Sequence, residues 1–138
     1  MSARDLMTPD PVTVTSQASV AEAWDLMREL EIRHIPVVED GVLVGMLSDR
    51  DLARLDIARL LTVDGAEALR LELSTPVVKV MSSDVIAVNP ETDLDEIVEL
   101  LVEHRFGALP VVRPDTRELV GIVSYIDVLR ALQDSLQS

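Results

Sequence analysis

Two short motifs, each a serine followed three residues later by an aspartate, are the clearest candidates for chemistry in the chain. They are Ser48 with Asp51 and Ser124 with Asp127. At the start of a helix such a pair acts as a cap, because its oxygens accept hydrogen bonds from free N–H groups. A helix start can also hold an anion, and an ionised carboxylate can accept hydrogen bonds from the neighbouring hydroxyls of a ribose. The residues alone leave the structural and the binding interpretations open.

The composition disfavours several functional classes. The net charge of −13 and the isoelectric point near 4.3 work against binding to phosphate backbones. Aromatic residues, at 2%, are too few to form stacking platforms for single-stranded nucleic acid. The absence of cysteine excludes disulfides, thiolate nucleophiles and cysteine-based zinc sites. We therefore expect no nucleic-acid partner.

Catalytic and metal-binding patterns are not evident in the sequence. It contains no Ser/His/Asp order that suggests catalysis, and no Walker loop or GxGxxG loop. The two histidines, His34 and His104, occupy unrelated places, and no third ligand recurs at a spacing typical of a metal site. We therefore expect neither catalytic residues nor a metal site, and an enzyme such as a hydrolase is a remote alternative.

Length and hydrophobic content suit one compact domain. The chain has 138 residues, of which 48% are hydrophobic, enough for a buried core. The first residues, Met1 to Asp5, lead into no long apolar run, so neither a signal peptide nor a membrane span is expected. A cytoplasmic location without membrane contact is the corresponding expectation.

The elements that carry the two motifs arise from an internal duplication. Segments of the first half recur 74 residues later, and the shift becomes 76 after a two-residue insertion. The insertion falls in the turn between two predicted strands, where added residues are tolerated. The matching segments are Leu6-Met7-Thr8 with Val80-Met81-Ser82, Pro36-Val37-Val38 with Pro110-Val111-Val112, and Val44–Ser48 with Val120–Ser124.

Each copy has the hydrophobic pattern of a β-α-β-β-α unit. In the first copy Ser19 and Glu22 predict a capping box, and Asp93 and Glu96 take the same places in the second. Trp24 falls on the apolar face of the first helix, and we expect it in the core. The predicted strands are Val12–Val14, Ile35–Val38 and Leu43–Leu47 in the first copy and Val85–Val88, Leu109–Val112 and Leu119–Val123 in the second, with closing helices from Asp49 and Tyr125.

Two such copies, each ending in G-x-x-S-x-x-D, resemble the CBS (cystathionine β-synthase) domain pair, or Bateman module. The motifs stand here as Gly45–Asp51 and Gly121–Asp127, and the strands around Pro36 and Pro110 are also similar to this family. The resemblance implies an α+β fold of tandem β-α-β-β-α repeats with pseudo-two-fold symmetry. We assign residues 1–61 to the first repeat, 62–79 to a connecting segment and 80–138 to the second repeat, together one module.

The resemblance also implies a ligand. Pairs of this family are regulatory and bind adenosyl ligands such as AMP, ADP, ATP or S-adenosylmethionine, with aspartates on the ribose and serines near the ribose or phosphate. Each site is built across the repeats, with apolar side chains and strand backbone around the adenine. By that pattern one site combines Asp127, Ser124 and Ile122 with Thr13, Ile32, Arg33 and His34, and the other combines Asp51, Ser48 and Met46 with Ala87, Phe106, Gly107 and Ala108.

The two implied sites differ in their cations. Arg33 and His34 have Gly107 and Ala108 as counterparts, and Arg50 lies inside the first motif. The planar fork of an arginine suits a phosphate, and a chain of charge −13 needs local cations to hold a polyanion. The alternative is that these three cations lie on a solvated face or pair with carboxylates. On the first interpretation we expect one tight site and one weak or empty site.

The function that these observations predict is adenosyl-ligand sensing without catalysis. The ligand would stabilise one arrangement of the two copies and so bias a downstream protein that the sequence does not identify. Helix faces rich in Leu, Met and Ala predict a homodimer. The alternative function is a ligand-free assembly scaffold, in which the serine–aspartate motifs are only helix caps.

Overall fold

The fold consists of two three-stranded sheets with helices packed against them. A computed structural model describes residues 1–53, 67 and 73–137. The elements of its first half are α1 (Ala3–Leu6), β1 (Thr8–Pro9), β2 (Val14–Thr15), α2 (Val20–Leu30), β3 (His34–Glu39), β4 (Val42–Ser48) and α3 (Asp49–Ala53). Those of its second half are a 3₁₀ helix (Val77–Lys79), α4 (Leu94–His104), β5 (Ala108–Val112), β6 (Leu119–Ser124) and α5 (Tyr125–Gln137). The predicted α+β fold class is confirmed.

The chain divides into two compact units that do not follow the linear order of the repeats. The first unit consists of Val12–Glu39 and Val44–Val85, and the second of Met1–Pro11, Asp40–Leu43 and Ile86–Ser138. Each unit therefore takes its main body from one copy and its opening segment from the other. The predicted connecting segment, residues 62–79, lies largely outside the described residues, so the assigned repeat boundaries stay a prediction.

The first unit is a sheet with strand order β2-β3-β4, packed against α2. β2 runs parallel to β3, with Val14 opposite Val37. Side chains of β4 alternate between buried and half-buried, as expected for a strand with one face on the core. The fully buried apolar residues of this unit include Val20, Ala23, Ile35, Val37, Leu47 and Val77.

The second unit has the strand order β1-β6-β5, with β6 antiparallel to both neighbours. Its fully buried apolar residues include Ala3, Ile97, Leu109, Val111 and Val123. Ala3 comes from the opening segment of the chain, so the core of the second unit is completed by residues that belong to the first copy.

The strand predicted over Val85–Val88 is wrong in extent. Only Val88 pairs, as a single parallel bridge to Val111. Pairing does not continue past Val88, because the Asn89 side-chain oxygen Oδ1 accepts the backbone N–H of Glu91 at 2.8 Å. Such a turn diverts the chain from the sheet. Val88 opposite Val111 is the equivalent, 74 residues later, of Val14 opposite Val37 in β2 and β3. This repeated register supports the duplication.

The opening segments, which contain α1 and the 3₁₀ helix, hydrogen-bond to the first turns of the two long helices. The carbonyl of Met1 accepts the N–H of Leu94, and the carbonyl of Thr75 accepts the N–H of Val20, both at 2.9 Å. These bonds give partners to N–H groups that a helix start leaves unpaired. Asp93 makes no side-chain cap hydrogen bond, so the capping box predicted there is wrong.

Only the serine half of the capping box predicted for the first copy is present, because among the described residues the Ser19 N–H donates no hydrogen bond to the Glu22 side chain. The Ser19 hydroxyl oxygen accepts the backbone N–H of Glu22 at 3.1 Å at the start of α2. The two long helices therefore begin differently, since a serine side chain supports α2 and no equivalent side chain supports α4.

Each opening segment also places a methionine over a glycine. A Cβ atom added to Gly121 would overlap the sulfur of Met7 and lie 3.1 Å from its Cβ, and one added to Gly45 would overlap the sulfur of Met81. The glycines of the two G-x-x-S motifs are therefore required for packing of the opening segments. A larger side chain would force these methionines to shift.

Candidate functional site

The two serine–aspartate motifs form matching hydrogen-bonded boxes at the starts of α3 and α5. The Ser48 N–H and hydroxyl both donate to Asp51 Oδ2, at 2.8 and 3.1 Å, and the Asp51 N–H donates to the Ser48 hydroxyl at 3.3 Å. The same three bonds join Ser124 and Asp127 at 2.8, 3.0 and 3.2 Å. Both motifs thus cap their helices.

In the second motif, the aspartate can accept hydrogen bonds in addition to those of the cap. Both bonds that Asp127 accepts end on Oδ2, and no residue in the described ranges donates to its Oδ1. Asp127 is half-buried, whereas Asp51 is only 6% exposed. A carboxylate held by its own serine, with its other oxygen open, can accept a hydroxyl from a ligand without giving up the cap.

The segment before the strand proline of each copy lies beside the helix start of the same copy. The Asp49 N–H donates to the Arg33 carbonyl at 3.0 Å, and the Tyr125 N–H donates to the Gly107 carbonyl at 3.1 Å. Arg33 and Gly107 are equivalent in the duplication. The backbone therefore brings the candidate base-flanking segment and the candidate ribose-binding motif of one copy together.

Charged side chains gather around the first of these helix starts. His34 is half-buried, and this burial lowers its pKa below the ordinary value of 6.5. The carboxylates of Asp49 and Asp51 raise that pKa, and the guanidinium groups of Arg50 and Arg33 lower it further, so all four charges lie close to the imidazole. Neither arginine forms an ion pair with any described residue. A neutral imidazole and two exposed arginines are thus placed together.

The second helix start lacks this cluster. The equivalents of Arg33 and His34 are Gly107 and Ala108, and Ala108 is buried. Phe106, the third candidate in this segment, is 39% exposed and stacks on His104 with ring centroids 5.2 Å apart. The helix start of the second copy therefore has a glycine, a buried alanine and a stacked pair of rings in the place where the first copy has its cations.

The structure groups the predicted site residues by unit. The first unit holds Thr13, Ile32, Arg33, His34, Met46, Ser48, Arg50 and Asp51, and the second holds Ala87, Phe106, Gly107, Ala108, Ile122, Ser124 and Asp127. Each predicted site combines members of both groups, and those pairings across copies stay predictions. The association within a copy was not anticipated, although the recurrence of the same proline strand and serine motif in both copies could have indicated it.

A cavity of about 500 Å³ lies in the first unit, between the end of α2 and the start of α3. Trp24, Ile32, Arg33 and Asp49 are among its lining residues. Trp24 is 46% exposed, so its expected place in the core is wrong. The buried stripe of α2 is formed by Val20, Ala23 and Met27, and the tryptophan stands beside that stripe.

A second cavity, of about 660 Å³, lies in the second unit and includes two arginines. Arg4 pairs with Glu91, and Arg113 Nε lies 3.8 Å from Glu118. All four side chains are more than half exposed. Because each cation already has a carboxylate partner, this cavity offers an anion little net positive charge.

Neither a membrane-spanning helix nor a metal-binding cluster occurs in residues 1–53, 67 and 73–137. No helix there is long and apolar enough to cross a bilayer. No three side chains of His, Asp or Glu there converge as ligands of a metal ion would.

Sequence comparison identifies the duplicated unit. The sequence profile of the CBS domain matches residues 3–58 and 77–134. This chain belongs to the CBS domain family. The resemblance drawn from the two motifs is confirmed, and the two copies are CBS repeats. A similar protein is the CBS domain-containing protein YhcV of Bacillus subtilis (strain 168), 39% identical over 127 residues, which cover 92% of this chain and 82% of that protein.

Solved CBS domain pairs share the fold over nearly the whole chain. CBSX2, crystallised in complex with AMP, superposes with a TM-score of 0.80 at 32% identity and 96% coverage of each chain. The CBS domain pair of protein MJ0100, crystallised with 5′-methylthioadenosine and S-adenosyl-L-methionine, superposes with a TM-score of 0.78 at 25% identity and 98% coverage of each chain.

Proposed function

We propose that this CBS domain pair is a regulatory module that binds an adenosine-containing ligand of the AMP, ADP, ATP or S-adenosylmethionine class. The observation that carries the proposal is the pair of carboxylates, Asp51 and Asp127, each fixed by its own serine at a helix start. Similar CBS pairs have been crystallised with AMP and with S-adenosyl-L-methionine. An adenosine ribose is the chemical group common to these ligands.

In this proposal each part of the ligand has its own residues. The aspartates accept hydrogen bonds from ribose hydroxyls, because an ionised carboxylate is an acceptor only. Arg33, His34 and Arg50 contact phosphates. Half-buried apolar side chains, among them Ile32 and Ile122, flank the adenine. Pairing across the copies, as expected from the family, would bring Asp127 into one site with Arg33.

Ligand binding would act on the protein by linkage. A ligand that binds only one arrangement of the two copies stabilises that arrangement by ~2.7 kcal/mol at a concentration ~100 times Kd. This free energy is enough to shift a two-state equilibrium that differs by a few kcal/mol. The recipient of the signal is a downstream protein of unknown identity, and a cytoplasmic location belongs to the same proposal.

Thermal melts with AMP, ADP, ATP and S-adenosylmethionine test the ligand. At least one should raise the melting temperature, and calorimetry should then give its Kd. Asp127→Asn keeps an oxygen for the Ser124 N–H but loses the charge, so the affinity should fall about 10- to 100-fold, the value of a charged hydrogen bond. Asp115→Asn, an equal change at an exposed turn, should leave Kd unchanged.

A double-mutant cycle tests which aspartate shares a ligand with Arg33. Arg33→Ala is combined in turn with Asp127→Asn and Asp51→Asn, and the AMP affinity of all variants is measured. Coupling with Asp127 supports pairing across copies. Coupling with Asp51, beside which the first unit places Arg33, would reject that pairing while leaving ligand binding intact.

We also propose that the chain forms a homodimer through exposed apolar helix surfaces. Val102 of α4 is 71% exposed and Leu129 of α5 is 54% exposed, which is unusual for a helix that contacts only water. This observation equally suits the alternative function, a ligand-free scaffold in which the motifs are caps alone. The melts separate the two functions, since a scaffold would show no shift with any of the four ligands.

A further inference from the structure

The cavity of the second unit is enclosed by two turns and the opening segment of the chain. One wall is the turn around Pro90, and another is the end of β5 with the turn that follows it. The Arg4 N–H donates to the Pro90 carbonyl at 2.9 Å, which holds the first wall. The Arg117 N–H donates to the Arg113 carbonyl, also at 2.9 Å, which holds the second. With a volume of about 660 Å³, the cavity has the size of a small-molecule site whose walls are already formed.

Hydrogen bonds close the equivalent place in the first unit. Ser16 and Glu39 are the equivalents of Pro90 and Arg113 in the duplication. The Ser16 N–H donates to the Glu39 carboxylate at 2.8 Å, and the Ser16 hydroxyl donates to the same oxygen. Proline has no N–H and a guanidinium accepts no hydrogen bond, so the second unit cannot form this link. The two replacements therefore leave a space between the turn and the strand end, and they add a cation to its lining.

The charged groups of this cavity balance each other. The lining includes two guanidinium groups and two carboxylates, which belong to Arg4, Arg113, Glu91 and Asp115. A ligand with a single charge would meet groups of its own sign as well as groups of the opposite sign. A ligand with both charges can face each kind of group with its opposite. The lining therefore favours a zwitterion.

Two of the four charged groups keep hydrogen-bonding capacity for a ligand. Arg4 is already bonded to Glu91. Arg113 Nε lies 3.8 Å from the Glu118 carboxylate, which is too long for a hydrogen bond. Within the described ranges, no hydrogen bond or ion pair is formed by the Asp115 carboxylate. A guanidinium and a carboxylate on the same turn are thus available.

An apolar surface adjoins these charges. Met7 and Val120 belong to the lining and are half-buried, and the rings of Pro90 and Pro114 add further carbon atoms. None of these four side chains needs a hydrogen-bond partner, so covering them with an apolar group of a ligand is favourable.

From this lining we infer that the cavity is a second ligand site, which binds a free α-amino acid with an apolar side chain. The Arg113 guanidinium donates to the carboxylate of the ligand. The Asp115 carboxylate accepts from its ammonium group, and its side chain covers Met7 and Val120. The lining shares no residue with the proposed adenosyl site, so the two sites can be tested independently.

NMR titration of the chain with L-leucine, L-methionine and L-phenylalanine tests the site. At least one of them should cause saturable shifts of the Glu91 and Asp115 amide resonances. The N-acetyl derivative of that amino acid lacks the ammonium group and the amide derivative lacks the carboxylate, so each should bind about 10-fold or more weakly. Absence of saturable shifts with all three amino acids, or equal affinity for either derivative, would overturn the inference.

Two aspartate variants separate this site from the adenosyl site. Asp115→Asn keeps the size of the side chain but removes its charge, so the amino-acid affinity should fall about 10-fold or more while the melting shift with AMP is retained. Asp127→Asn should have the reverse effect. Natural amino-acid affinity in Asp115→Asn would overturn the inference. If no adenosyl ligand shifts the melt while the amino acid still binds, the proposed function fails and this site stands.

The first unit supplies a variant that closes the cavity. Pro90→Ser combined with Arg113→Glu recreates the pair that Ser16 and Glu39 form. This double variant should lose amino-acid binding and resist urea at least as well as the natural chain. Arg113→Gln should also weaken binding, whereas Arg130→Gln, at an exposed position of α5 outside the cavity, should not. A folded double variant that binds the amino acid with natural affinity would show that the inference is wrong.

Discussion

The two units share one backbone design and differ in the side chains placed on it. In the first, Val77 N–H donates to the Ala18 carbonyl at 2.8 Å, and in the second, the equivalent Ala3 N–H donates to the Thr92 carbonyl at 2.8 Å. The serine–aspartate boxes also agree to within 0.1 Å. Yet only the first unit surrounds its box with His34 and two arginines.

This contrast shows which features can diverge after a duplication with little loss of stability. The hydrogen bonds of the opening segments and the glycines under the methionines support the whole unit, so both copies retain them. Side chains at the rim of a helix start or on an exposed helix face carry less of the stability. Those positions have diverged. The same backbone therefore carries charged side chains at the helix start of the first copy and apolar side chains at the equivalent place in the second.

The largest expected effect tests the shared design. Gly121→Ala and Gly45→Ala should each destabilise the protein by about 1–3 kcal/mol, because the new methyl group overlaps a methionine that holds an opening segment. Urea unfolding measures both. Similar losses would confirm that the two units depend on the same contact.

The methionine supplies the control for this prediction. Combining Gly121→Ala with Met7→Ala should cost less than the sum of the two single changes, since the shorter side chain makes room for the methyl group. Additive losses, or a neutral Gly121→Ala, would mean that the opening segment of the second unit is not held in this way.

A smaller effect should separate the two long helices. Ser19→Ala removes a side-chain cap and should cost about 1 kcal/mol. Asp93→Ala removes no cap hydrogen bond and should cost only a few tenths of a kcal/mol, from the lost charge near the helix start. If thermal unfolding showed equal losses of stability for the two variants, the two helices would not differ in their caps as described.

The smallest effect concerns pH. Burial keeps the pKa of His34 below 6.5 in the folded protein, so as the pH falls through that value the unfolded chain takes up the proton first. Stability should therefore decrease between about pH 7.5 and 5.5. His34→Ala makes the first copy like the second and should lose less stability over this range. An unchanged pH dependence in urea unfolding would show that the histidine is not the group responsible.

Local patterns predicted much of the fold. Apolar periodicity located β3, β4, β5, β6 and both long helices, because each of these elements buries one regular face. The boxes at Asp51 and Asp127 were also predictable, since their hydrogen bonds join residues three positions apart.

The remaining features depend on residues distant in sequence. Asp93 has the right type for a cap, but the opening segment reaches the first turn of α4 from 93 positions away, through Met1. Trp24 has helix-face periodicity, but smaller neighbours fill the core beside it. No pattern within one copy contains the information that its first segment belongs to the other unit.

The exchanged opening segments have a consequence for dissecting the protein. A chain cut between residues 62 and 74 would separate each helix start from the carbonyl that supports it, so neither piece alone would complete a unit. Each piece carries the opening segment that the other piece lacks, so a mixture of the two contains both complete units. They should therefore behave as a split protein, weakly ordered apart and restored by fragment complementation.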